Sequence, residues 1–343
     1  MTNITDAARK VEEVMNSNDF SGVVLLKQNG QTLLNLSRGY ANRSDELLNQ
    51  IDTRFGIASG CKIFTAVSIC QLIEQGRLSY DTKLVDALTT IDFPLWNKEI
   101  TIHHLLTHTS GIPDYFDEEV MEDFAELWKE RPVYSMRNGS DFLPMFQHLP
   151  MKSAPGERFH YNNAGFIVLG LIVEEQSGQP FTEYVEEHIF KRCGMTNSGY
   201  FLTDQLPRNT AIGYIDHEDG TWNTNIFSIP IKGGADGGAY TTAPDMTRFW
   251  DGLLTYQLLN ESTTQQLITP HVHEEGETYY GRGVWVDLKN EGIFKIHVMG
   301  FDPGVSFMSS VYPEHAAQLV VLSNRESGPY PITRAIEETL FEV

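Results

Sequence analysis

Arg54-Phe-Gly-Ile-Ala-Ser-Gly-Cys-Lys-Ile-Phe-Thr-Ala66 contains the one Ser-x-x-Lys of the chain, Ser59-Gly-Cys-Lys62. A short apolar run, residues 55–58, leads into it, and an apolar-periodic segment, residues 63–73, leaves it. That junction puts Ser59 at a helix N-terminus, where orphan N–H groups and the positive dipole end favour a developing anion. Lys62, three residues on, returns to the same helix face. A desolvated lysine with a lowered pKa can take a hydroxyl proton at neutral pH. Alone, the four residues fit equally an N-cap serine and an exposed helical lysine. The rest of the chain decides between the two.

Working outward, residues 22–27 and 32–37 are apolar runs on either side of Asn29-Gly30, the pattern of a hairpin. A helix is expected over 6–17, from Ala7, Val11, Val14 and Met15, and Gly76 is expected to end the Ser59 helix. Beyond residue 78 helical segments are expected at 102–108, 118–128, 140–148, 164–176 and 182–191, punctuated by prolines. A helix over 243–254 follows, then strands over 279–287, 292–299, 305–312 and 318–323, and a closing helix over 330–341. This order implies an α+β fold, one antiparallel sheet flanked by helices, with a mostly helical inserted domain. The expected division is 1–77 and 235–343 for the split sheet domain and 78–234 for the insertion.

The 343 residues are 41% hydrophobic, enough for a sizeable core, and the net charge is −21. That charge disfavours nucleic acid and anionic membranes as partners. Residues 1–13 carry no signal-peptide pattern and no apolar run is long enough to span a bilayer, so a cytoplasmic location is expected. Cys61, Cys70 and Cys193 suggest no disulfide framework. No glycine-rich nucleotide loop occurs, and neither cofactor nor metal is expected.

Tyr161-Asn-Asn163 precedes the 164–176 helix. A tyrosine beside an ammonium is expected to have a lowered pKa and to exchange protons with a serine hydroxyl. Asn163 offers a donor and an acceptor to a substrate amide and to the lysine. Together with Ser59-x-x-Lys62, this resembles the serine beta-lactamase and penicillin-binding protein superfamily, in its class C, DD-peptidase and esterase branch. Leu105-Leu-Thr-His-Thr-Ser-Gly-Ile-Pro-Asp114 and Asp236-Gly-Gly-Ala-Tyr-Thr-Thr-Ala-Pro-Asp245 look like that branch too. The resemblance implies an acyl-enzyme on Ser59, proton transfer by Lys62 and Tyr161, and substrate-amide binding by Asn163. The substrate would be a small molecule or short peptide carrying an ester, amide or lactam.

The third motif departs from the family pattern. Counting back from Pro303-Gly304 puts Val298-Met299-Gly300 where the branch has Lys-Thr-Gly or His-x-Gly. In that register Phe301 supplies an oxyanion N–H next to Gly300. His297, one residue early, points to the opposite face unless a bulge re-aims it. A group that recognises a substrate carboxylate is then missing, and neutral esters or amides become as plausible as beta-lactams. Asp302 is either a substrate contact or a turn residue before proline. His104 and His108 have i, i+4 spacing but lack the glutamate of a zincin. Cys61, beside Lys62, is expected to pack rather than react. The alternative function is a binding or sensor protein on the same fold that acylates without deacylating or binds without acylating.

Overall fold

The computed structural model describes residues 2–341. The chain opens with α1 (Thr2–Ser17), β1 (Gly22–Gln28) and β2 (Gln31–Arg38), then enters α2 (Lys62–Glu74). The long middle region includes α3 (Asn163–Ser177) and is followed by α4 (Ala243–Leu254). Six strands come next: β3 (Val272–Glu275), β4 (Thr278–Tyr280), β5 (Trp285–Lys289), β6 (Gly292–Asp302), β7 (Val305–Tyr312) and β8 (Ala317–Ser323). Helix α5 (Pro329–Ile336) closes the fold. The eight strands form one sheet, β2-β1-β8-β7-β6-β5-β4-β3, antiparallel at every pairing. Among the described residues, no helix is long and apolar enough to cross a membrane.

The centre of the sheet is buried on both faces, which is why β1 and β8 read as unbroken apolar runs. Val23, Leu25, Val320 and Leu322 join the main core on the α2 side. Val24, Leu26, Leu319 and Val321 face α1 and α5, against Val11, Ile332 and Ile336. Helices α2 and α3 are apolar on all sides because they are enclosed: residues 62–72 and 163–173 are buried without a break. Asn162 Oδ1 caps α3 by accepting the Gly165 N–H at 2.7 Å, and Gly178 ends it with φ +74°.

Two expectations need correction. Residues 118–128 do not form a helix. Asp117 accepts the N–H of Glu119, and Asp123 accepts that of Ala125, so these side chains compete with helical bonding. Only a 3₁₀ segment, Phe124–Lys129, remains. Residues 279–287 form two strands instead of one, turning where Gly281 N–H donates to Val284 O at 2.8 Å. The edge strand β3 has no apolar face in its burial pattern.

Strand β5 covers β6 only as far as His297, and from Val298 to Asp302 β6 pairs with β7 alone. The bare edge of that stretch runs past the Ser59 turn. A Cβ on Gly300 would lie 2.1 Å from Ile57 O and 2.9 Å from Ser59 N. On the other side, a Cβ on Gly60 would meet the Phe307 ring at 2.4 Å. The contact between turn and sheet therefore requires both glycines. Gly300→Ala should destabilise the fold by about 1–3 kcal/mol, because backbone atoms must move to admit the methyl. Urea unfolding checks this, and an unchanged midpoint would show that the turn and strand are not in this contact.

Candidate active site

Ser59 lies in a single 3₁₀ turn, Ala58–Cys61, that runs directly into α2. Ala58 takes φ +44°, an uncommon conformation for a residue with a side chain. It is held by Gly238 N–H donating to Ala58 O and by Ile57 N–H donating to Ala239 O at 2.9 Å. Lys62 is buried at 2% exposure. Its Nζ lies 2.8 Å from Ser59 Oγ, 2.8 Å from Asn163 Oδ1 and 2.7 Å from Asp236 O. The last two are acceptors only, so each takes one N–H and the third position of the nitrogen faces the serine. With the ammonium that position is a donor; with the free amine it is a lone pair aimed at Oγ–H.

The Tyr161 ring lies 4.9 Å from Lys62 Nζ, and the nearby Ser59 hydroxyl acts to lower the pKa of the phenol. The expected lowering of its pKa is overturned. Burial, reinforced by Glu118, holds the phenol well above its ordinary value. The ammonium sits over the ring face, while the cost of burying a phenolate dominates. Tyr161 therefore carries its proton and can relay one, taking from Ser59 and giving elsewhere.

Asp114, for which the sequence suggested no role, organises this corner. Its carboxylate accepts the N–H groups of Asn163 at 2.6 Å, Ala164 at 2.9 Å and Tyr115 at 2.7 Å. It thus caps α3 from a segment 49 residues away and fixes Asn163 opposite Lys62. Burial raises the Asp114 carboxyl to about 7. His108 supports the same loop: Nδ1 accepts the Asn162 N–H at 3.0 Å, which leaves the proton on Nε2, 3.2 Å from Tyr280 Oη. Asp236 is the second residue missed; its carbonyl receives Lys62 and its carboxylate the Tyr115 hydroxyl. Both aspartates stand at the ends of quoted stretches, the only signal for them in the sequence.

Gly300, Phe301 and Asp302 line the same cavity of about 1070 Å³ as Ser59, Tyr161 and Asn163. His297 does not, and its expected place among substrate-binding residues is corrected. Strand alternation puts it with Lys295, whose Nζ reaches Glu337 at 3.0 Å, on the sheet face away from Ser59. There its Nε2 is 3.5 Å from Asp287 and burial lowers its pKa. Val298 shares the Gly300 face but is packed into the main core. Asp302 is a strand residue opposite Val305 rather than a turn. Phe301 is 61% exposed at the cavity.

Burial pushes the Cys61 thiol up to about 12, which leaves it unreactive. His104 and His108 do not converge, since His104 Nδ1 caps its own helix at Thr101. Asp117, Glu119 and His160 do come within 4.8 Å of one another. Lys152 pairs with Asp117, and Arg158 holds both oxygens of Glu119, so this group serves as an ion-paired clamp on the loop before Tyr161.

A sequence profile described as beta-lactamase matches residues 7–340. The chain belongs to the beta-lactamase family. Among relatives in that family, Penicillin-binding protein 4* of Bacillus subtilis (strain 168) is 30% identical over 350 residues, which span 96% of this chain and 74% of that protein. The crystal structure of a penicillin binding protein from Bacillus halodurans matches with TM-score 0.91 and 55% identity, over 95% of this chain and 99% of that one. A D-stereospecific amidohydrolase from Streptomyces sp. shares the beta-lactamase-family fold at 21% identity and TM-score 0.82, over 98% and 99%.

Replacing the cap tests its role. Asp114→Asn removes an oxygen from the N–H groups it serves and should cost about 1–3 kcal/mol of stability. Displacement of Asn163 should also lower turnover of any ester by about tenfold or more. Unfolding midpoints and steady-state rates check both. Wild-type values in the variant would remove Asp114 from this role.

Proposed function

We propose that this protein is a serine hydrolase that cleaves a small ester, amide or lactam through an acyl-enzyme on Ser59. The observation that carries the proposal is the position of Lys62 Nζ, 2.8 Å from Ser59 Oγ and oriented by two acceptor-only partners. Ser59 Oγ attacks the substrate carbonyl while its proton passes to the Lys62–Tyr161 pair. The oxyanion is held by the N–H groups of Ser59 and Phe301. The pair then returns the proton to the leaving group as the carbonyl re-forms. Water attacks the acyl-enzyme by the reverse route and releases the acid.

Several features support this reading over a metallohydrolase. The polar groups around Ser59 are those that activate a hydroxyl and hold an amide. Penicillin-binding proteins are among the relatives of this chain, which supports the same reading. Val298, an apolar residue in the slot expected to be cationic, supports neutral esters and amides over substrates read by a carboxylate. The same substitution favours one second reading, a penicillin-binding protein that acylates and does not turn over.

Hydrolysis of p-nitrophenyl acetate separates these readings. Turnover should be lost in Ser59→Ala and should fall by about a hundredfold or more in Lys62→Met and in Tyr161→Phe. Full turnover in Ser59→Ala would overturn the proposal. One burst of nitrophenol with no further turnover would favour the sensor reading.

A further inference from the structure

The cavity that holds Ser59 is acidic. Glu118, Glu122, Asp123, Asp236 and Asp302 line it, and the lysine in the lining is Lys232, whose Nζ is 3.2 Å from Thr182 Oγ1. Lys62 lies beneath the floor with its nitrogen surrounded by three partners. The acids outnumber Lys232 in the lining, so a carboxylate substrate entering here meets net repulsion.

Asp302 is the acid best placed to read a substrate. It is two residues beyond Gly300 on β6, about 7 Å along the strand, and alternation turns it to the same face. That face meets the nucleophile turn, because a Cβ on Gly300 would lie 2.9 Å from Ser59 N. Among the described residues the Asp302 carboxylate makes no hydrogen bond and no ion pair, though it is largely withdrawn from solvent. Burial, with Asp236 and Glu118 nearby, raises it to about 7. A partly buried carboxylate beside two other acids is unfavourable unless a cation joins it. The lining is also aromatic: Trp285 stacks near Tyr161 with centroids 6.4 Å apart and meets Phe159 at 5.8 Å.

Resting on the serine-hydrolase reading, we infer that the acyl half of the substrate carries an α-ammonium held by Asp302 and an apolar or aromatic side chain against Trp285. The substrate class is an amino-acid amide, an amino-acid ester or a short peptide with a free N-terminus. The ammonium offsets the excess of negative charge in the cavity lining.

The p-nitrophenyl esters or anilides of three acyl groups test this: phenylalanyl in both enantiomers, N-acetylphenylalanyl, and 3-phenylpropionyl, which lacks the amine. For wild type, kcat/KM for one free-amine enantiomer should exceed that for the other two acyl groups by about tenfold or more, mainly through KM. In Asp302→Asn that ratio should fall by about tenfold or more. Binding of phenylalaninamide to Ser59→Ala, read by calorimetry, should weaken by a similar factor when Asp302→Asn is added. Equal or better hydrolysis of the des-amino ester by wild type would overturn the inference and leave the hydrolase reading standing. An unchanged ratio in Asp302→Asn would overturn the role of this residue. Turnover of none of the esters, with Ser59 inert to a fluorophosphonate, would overturn the hydrolase reading and this inference with it.

Discussion

A lysine nitrogen cannot be buried without acceptors around it. Lys62 is 2% exposed, and its three partners come from three parts of the chain. Ser59 is local, Asn163 opens α3 a hundred residues later, and Asp236 lies on the loop that leads to α4. Satisfying that nitrogen brings the helical region against the sheet. Other features serve the same junction: Ala58 with positive φ, bonds from residues 238–239 to the turn, and glycines where the turn meets β6 and β7. The packing that closes the core also sets the spacing between nucleophile and amine.

Burial governs the remaining electrostatics. It raises the Tyr161 phenol, the Cys61 thiol and the Asp114, Asp236 and Asp302 carboxyls, and it lowers the His108 imidazole. In each case the neutral form gains. Hydrogen bonds oppose the cost of burial at Asp114, whose carboxyl accepts three N–H groups. The unsupported carboxylate is Asp302, at the cavity. A net charge of −21 is general to the chain, but its expression in the cavity bears on what can enter.

Local patterns were the legible part of the sequence. The Ser59 turn, the hairpin at Asn29-Gly30 and the buried helices α2 and α3 each depend on neighbours a few residues apart, and each was readable. So were the strands β6, β7 and β8, from their apolar runs. What could not be read depends on distant partners. Asp114 accepts N–H groups from residues 163 and 164, and Asp236 matters through its backbone carbonyl, which has no side-chain signature. Tyr161 was read with the wrong sign because its neighbouring charge is visible in sequence and its burial is not. Residues 118–128 have helical composition, but their acids bond to nearby backbone instead. In the stretch compared with the third motif, Gly300 sits at the turn, and its neighbours Val298 and His297 face a core and the far side of the sheet.

The account depends on Ser59 being an activated nucleophile. Intact-protein mass after treatment with a fluorophosphonate tests this most directly, with peptide mapping of the adduct and Ser59→Ala as the control. The account predicts one adduct on wild type, mapped to Ser59 and absent from the variant. A wild-type protein that stays unmodified, or an adduct that persists in Ser59→Ala, would contradict it.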